Sequence, residues 1–159
     1  MEEYGKWATF QCEMKNQRQA SIKELNFPFE YRPGQKKLVS DVYRTIMRQK
    51  LLFMQAPTGV GKTISTIFPA VKAVGEELAD RIFYLTAKTI TATVAKETFA
   101  LLEKNGYRAK TIQITAKEKL CPCDEMECNP VTCPYAKGHF DRVNDAVLTC
   151  FTDMEWIRG

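Results

Sequence analysis

Ala56-Pro57-Thr58-Gly59-Val60-Gly61-Lys62-Thr63 is the stretch of the chain that decides the fold. It follows the apolar run 51–54 and precedes a helix-like segment. Its two glycines let the backbone curl so that successive N–H groups face phosphate oxygens. The helix that follows aims its positive end at the same anion. Residues 56–63, the phosphate loop, therefore predict a site for a nucleoside triphosphate such as ATP.

Two side chains of the phosphate loop carry the predicted catalytic roles. Lys62 can reach the outer phosphates, and the Thr63 hydroxyl can bind Mg²⁺. Ala56 stands where the general pattern has glycine, and a glycine-rich turn that happens to contain Lys-Thr is the alternative. The strand–loop–helix context favours the motif. The predicted nucleotide-binding residues of the loop are Pro57, Thr58, Gly59, Val60, Gly61, Lys62 and Thr63.

Composition restricts the class of protein. A length of 159 residues suits one domain or a piece of a larger one, and 45% apolar residues can form a packed core. No run approaches the ~18 apolar residues that span a bilayer, and the polar N-terminus is unlike a signal peptide. We therefore expect a cytoplasmic protein without a membrane partner. The net charge of +4 permits nucleic-acid contact but does not argue for it.

Helical and extended patterns alternate along the chain. Residues 1–26 are typical of a helical arm or linker. Apolar residues at helical spacing predict a helix after Gln35, and others follow over 63–78 and near 90–102. Pro69 is expected to kink or shorten the second of these. Runs rich in β-formers predict strands at 51–55, 81–86 and 109–115. This order predicts an α/β fold with a parallel sheet and right-handed crossovers.

Four cysteines lie close together on a proline-rich backbone: Cys121, Cys123, Cys128 and Cys133. In a reducing compartment such a group predicts a zinc or iron–sulfur site before disulfides, although four free thiols are the alternative. The spacing matches neither a zinc ribbon nor a bacterial ferredoxin, so it does not choose between the two metals. Cys12 and Cys150 stand alone, and the single histidine, His139, is more typical of a surface residue than of a ligand.

Several motifs, in this order, resemble those of one known family. They are Phe27-Pro28-Phe29-Glu30-Tyr31-Arg32-Pro33-Gly34-Gln35, the phosphate loop with its Ala56, Tyr84-Leu85-Thr86-Ala87-Lys88-Thr89, and Leu120-Cys121 with Cys133-Pro134-Tyr135. Together they are similar to the N-terminal part of the helicase core of the iron–sulfur superfamily 2 helicases, the XPD/DinG type, and especially to bacterial members. The resemblance covers roughly residues 25–147.

The resemblance implies a fold and a division of the chain. The fold would be a RecA-like P-loop parallel sheet, a partial first motor domain with an inserted Cys-rich segment. Residues 1–26 would be a helical arm or linker, 27–115 the ATP-binding domain, 116–147 the iron–sulfur segment and 148–159 a tail. We call residues 116–147 the cysteine segment.

The resemblance also implies site residues and partners. Gln35 would contact adenine, while Thr86, Lys88 and Thr89 would hold the DNA backbone. Cys121, Cys128 and Cys133 would ligate a [4Fe–4S] cluster with Cys123 as the fourth ligand, although many relatives separate the first cysteine more widely from the rest. Cys150 is a weaker substitute. The activity implied is that of an ATP-dependent DNA helicase, a hydrolase of DNA repair, acting on single-stranded or forked DNA.

Parts of such a motor are missing from the sequence. Hydrolysis needs an acidic pair after a second apolar strand, which in the family is Asp-Glu-Ala-His, and it is absent. A second motor domain, the partner that completes the site, is absent too. We therefore expect a fragment or truncated product that binds ATP weakly without turnover. The alternatives are a nucleotide-binding module with a structural zinc (Zn²⁺) site and a remnant that binds only a metal.

Overall fold

A computed structural model describes residues 2–143 and 145. The chain divides into two compact units, Met1–Gln113 and Ile114–Gly159. None of the described helices is long and apolar enough to cross a membrane. The first unit contains four α-helices, α1 (Glu2–Glu24), α2 (Gln35–Met47), α3 (Lys62–Gly75) and α4 (Thr89–Lys104), and the second begins with a 3₁₀ turn at Lys117–Lys119 and is helical again at 139–143 and 145.

The described residues contain no β-strand, so the predicted α/β fold with a RecA-like parallel sheet is wrong. Within the described ranges, no backbone hydrogen bond joins 51–55, 81–86 and 109–115 to one another. A strand exists only where a second backbone lies alongside to complete the ladder. The β-forming residues of these runs indicate a fit to a half-buried surface and do not supply that neighbour.

The segment 81–86 still alternates between two environments. Ile82 and Tyr84 are half-buried and pack against the helical core. Phe83 and Leu85 point the other way, with exposed fractions of 74% and 89%. The period of two that predicted a strand is therefore present as an extended segment lying on helices.

The hydrophobic core is centred on α3. Ile64, Ile67, Phe68, Val71 and Val74 recur at helical spacing, and all are buried. Each fully buried aliphatic side chain of this kind contributes about 1.5–3 kcal/mol. Because α3 packs against α1, α2 and α4, this stripe organises the whole unit. The other buried members of the core are Ile22, Leu25, Ala95, Leu102 and Tyr107.

The helix predictions are confirmed, with one correction. Helices occur in all four regions where the sequence predicts them. However, α3 continues through Pro69 to Gly75, so the predicted shortening is wrong. Pro69 is fully buried, and packing on several sides of α3 offsets the backbone hydrogen bond that proline cannot donate.

The end of α1 belongs to the core, although most of that helix is polar. Ile22 lies so close to Gly75 that a Cβ at Gly75 would clash with it. The Gln19 amide donates to the carbonyl of Val74 at 3.2 Å, and Lys72 Nζ donates to the carbonyl of Ile22 at 2.7 Å. These contacts attach α1 to α3.

Candidate functional site

The phosphate loop is a turn that ends directly on α3. Gly59 and Gly61 adopt left-handed backbone angles, with φ of 86° and 74°. Such angles are strained for residues with a side chain, which explains the glycines. The next residue, Lys62, is the first of α3. The loop therefore places its amides next to a helix N-terminus, the arrangement that binds anions.

Two residues of the motif 27–35, whose last residue begins α2, contact the phosphate loop. Gln35, the first residue of α2, is 4% exposed, and its Oε1 accepts a hydrogen bond from the Arg32 amide at 3.0 Å. A Cβ at Gly61 would lie 2.7 Å from Gln35 Nε2. The guanidinium of Arg32 donates to the carbonyl of Gly59. These contacts hold both glycines in position. The adenine role of Gln35 stays a prediction.

Lys62 and Thr63 carry the polar atoms expected to meet phosphate and metal. Lys62 Nζ donates to the carbonyls of Ala56 at 3.0 Å and Pro57 at 2.8 Å, so its ammonium is folded back onto the loop. The Thr63 hydroxyl has no hydrogen-bond partner among residues 2–143 and 145. Thr63 lines a pocket of about 250 Å³ with Phe29, Gly61, Ile64, Val94, Glu97, Thr98 and Leu101.

The predicted DNA-binding residues lie together at the start of α4. Lys88 has extended backbone angles, and its carbonyl accepts from the amides of Thr91 and Ala92. Thr89 is the first helical residue, and both it and Lys88 are exposed, whereas Thr86 is half-buried. Two hydroxyls, one cation and a helix N-terminus could bind phosphate. The DNA role itself stays a prediction.

The four cysteines of the cysteine segment are free thiols. The Cys123 thiol interacts with those of Cys121 and Cys133, and the Lys117 ammonium interacts with Cys128. The fifth candidate, Cys150, and the tail 148–159 lie outside the described residues. The structure therefore brings the predicted ligands into one small region.

Polar groups around these thiols shift their acidities in opposite directions. Backbone hydrogen bonding by Ala136, and to a smaller extent by Tyr135, lowers the pKa of Cys133. Desolvation, with contacts to Cys121 and Cys133, raises the pKa of Cys123. The hydrogen bond to Cys128 and the charge of its thiolate raise the pKa of Lys117. These shifts favour the thiolate form of Cys133 over that of Cys123.

Sequence reasoning missed Lys117 and the structural role of Arg32. The charge of Lys117 acts on Cys121, Cys128 and Cys133 together. A lysine one turn before the first cysteine was a usable indication, because the amide of Cys121 bonds the carbonyl of Lys117 at 3.0 Å. The contact of Arg32 with Gly59 joins residues far apart in sequence, and no local pattern indicates it.

The thiols do not form a compact shell for one ion. Within the part of the chain that the structure describes, no three His, Cys, Asp or Glu side chains meet in an arrangement that could hold a single metal ion. The chain matches no protein-family model, no curated protein and no solved structure.

Proposed function

We propose that the phosphate loop binds Mg²⁺·ATP and that the chain is part of an ATP-dependent DNA helicase with a [4Fe–4S] cluster in its cysteine segment. One observation supports the first step above all. Gly59 and Gly61, both left-handed, lead directly into the N-terminus of α3. The amides of the loop and the N-terminus of α3 supply the groups that bind an anion, so this binding does not require a strand before the loop.

Nucleotide binding exchanges the partners of Lys62. In the free loop, its ammonium satisfies the carbonyls of Ala56 and Pro57. A triphosphate offers anionic oxygens, which are stronger acceptors than carbonyls. Lys62 would then turn outward to the phosphates, and the Thr63 hydroxyl, which has no partner among the described residues, would be available to Mg²⁺. Gln35 keeps Gly61 in place during this exchange.

The donor set of the cysteine segment fits an iron–sulfur cluster. The Cys123 thiol interacts with those of Cys121 and Cys133, backbone hydrogen bonding lowers the pKa of Cys133, and the charge of Lys117 acts on Cys121, Cys128 and Cys133. Amide and cation contacts of this kind stabilise thiolates and tune clusters. A bound cluster would supply a cross-link in a segment whose described residues are all at least partly exposed.

The nucleotide proposal is tested with a fluorescent ATP analogue and Mg²⁺. We expect Lys62→Ala to weaken binding more than a hundredfold, because a charge pair of about 3 kcal/mol is lost. The matched control is Lys50→Ala, which removes an exposed lysine outside the loop. Equal affinities for the two variants would overturn the proposal, as would unmoved amide NMR signals of residues 58–63 at saturating nucleotide. We expect no turnover by this chain alone.

The metal is tested by colour and by elemental analysis of protein prepared without oxygen. A brown protein with broad visible absorbance and about four irons per chain is the expected result for a [4Fe–4S] cluster. A colourless protein with one bound zinc would contradict the cluster and favour a nucleotide-binding module with a structural zinc site.

DNA binding at the start of α4 is tested with single-stranded DNA at several salt concentrations. We propose that Thr86, Lys88 and Thr89 contact phosphates without reading bases, in a cytoplasmic protein. Lys88→Ala should weaken binding uniformly across sequences and reduce the salt slope by about 0.7. The control is Lys96→Ala, an exposed lysine on α4. An unchanged dissociation constant for Lys88→Ala would remove this residue from the interface.

A further inference from the structure

A cavity of about 460 Å³ lies in the groove between α2 and α3, next to the last turn of α1. Its α3 residues run from Phe68 to Gly75, which places them about 9–20 Å along the helix from Lys62. The cavity is therefore separate from the phosphate loop. Its size suits a small molecule. Its lining includes four apolar residues, Ile22, Val39, Phe68 and Pro69, of which Val39 is half-buried and the others are buried.

The lining residues of this cavity carry excess positive charge. The lining contains three lysines, Lys23, Lys36 and Lys72, and one carboxylate, that of Glu76. That carboxylate accepts the hydroxyl of Tyr43. The charges around the apolar surface therefore favour an anionic ligand.

Two of these lysines have donors to offer. Lys72 Nζ donates to the carbonyls of Ile22 at 2.7 Å and Lys23 at 3.2 Å, and it lies 5.9 Å from the ring centroid of Phe68. An ammonium has three hydrogens, so one remains for a ligand. Lys36 has no hydrogen bond or ion pair within the described ranges. The half-buried hydroxyl of Ser40, also in the lining, is unpartnered in the same ranges.

Aromatic side chains form one wall of the cavity and support one another. Tyr31 stacks on Phe27 with ring centroids 4.3 Å apart and planes 13° apart. Phe27 in turn meets Phe68 edge-on, with centroids at 5.3 Å. This arrangement holds the faces of Tyr31 and Phe68 in defined positions. A planar apolar ring can pack against such a wall without reordering it.

We propose that this cavity binds a small aromatic carboxylate. Its ring would lie against Tyr31 and Phe68, and its carboxylate would accept from Lys36 and Lys72. The combination of an apolar surface, an aromatic wall and cations at the edge matches both parts of such a ligand. The inference is independent of nucleotide, DNA or cluster binding.

The test uses 4-phenylbutyrate as the probe with the full chain, followed by amide chemical shifts. We expect saturable shifts confined to residues 36–43 and 68–76. Butyrate, which lacks the ring, and 4-phenyl-1-butanol, which lacks the charge, should each bind at least tenfold more weakly. Equal binding of the alcohol, shifts centred elsewhere, or no binding at millimolar probe would overturn the proposal.

Variants of the adjacent residues Lys36 and Lys37 distinguish the effect of a charge that lines the cavity from that of a nearby charge that does not. Lys36→Gln should weaken 4-phenylbutyrate about fivefold, which is typical of a partly exposed charge pair. Lys37→Gln is the control, because Lys37 pairs with Asp41 and does not line the cavity. Lys36→Arg keeps the charge and should retain binding. If Lys36→Gln and Lys37→Gln bind equally well, the assignment of the carboxylate fails.

Discussion

The phosphate loop ends on a helix that lies in the hydrophobic core, whereas the cysteine segment contains no buried residue in its described part. Arg32 and Gln35 contact the two glycines of the loop, and α3 begins directly after it. Around the thiols, only electrostatic interactions with one another and with Lys117 act in place of a packed core. Packing alone can preserve the first site, while the second, on our proposal, depends on a ligand that joins its sulfurs.

The largest effect is expected from removing a proposed metal ligand. Cys133→Ser should abolish metal binding and collapse the amide shift dispersion of residues 114–143, because structural metal sites contribute on the order of 10 kcal/mol to small folds. The amide shifts of α2 and α3 should not change. The control is Cys12→Ser, an exposed thiol on α1. Metal content equal to that of the parent protein would contradict this assignment.

The next largest effect is expected on the stability of the hydrophobic core around α3. Ile67→Ala should lower the free energy of unfolding in urea by about 2–5 kcal/mol, since Ile67 is fully buried in α3. Phe53→Ala removes a side chain that is 91% exposed, and we expect a change of about 0.5 kcal/mol or less. Neither variant should change the metal content. A large loss for Phe53→Ala would mean that the segment 51–54 is buried in solution.

A smaller effect is expected within the loop. Gly61→Ala should weaken nucleotide binding by about 2 kcal/mol, because the new Cβ adds a 2.7 Å approach to Gln35 to the strain of a positive φ. Gly59→Ala has the same strain with open space around its Cβ, and it should lose less. Titration with nucleotide gives both values. If Gly59→Ala is the weaker binder, the contact with Gln35 does not shape the loop.

The smallest effect concerns the cation of the cysteine segment. Lys117→Gln should lower metal affinity about tenfold by removing the group that bonds the Cys128 thiol. Lys119→Gln, in the same 3₁₀ turn, has no comparable contact within the described ranges and should be neutral. Competition with a chelator measures both. Identical metal affinities for the two variants would show that Lys117 does not contribute to metal binding.

The comparison also explains which predictions from sequence succeeded. The helix predicted over 63–78 is present as α3, with Ile64, Ile67 and Val71 buried along it. The same reasoning placed strands at 51–55 and 81–86, where none exists in the described chain. In the first case the pattern and its hydrogen bonds lie in one segment. In the second, the hydrogen bonds needed a partner that the pattern cannot specify.

The sequence by itself determined the helices, the two glycines before α3 and the grouping of the cysteines. Helical hydrogen bonds join residues four apart, and a left-handed turn needs only glycine at the right place. Tertiary structure alone decided that Gln35 meets Gly61, that Lys117 acts on the thiols and that the β-rich segments of the described chain are not paired with one another. These outcomes depend on which surfaces meet when the chain packs, and no local spacing contains that information.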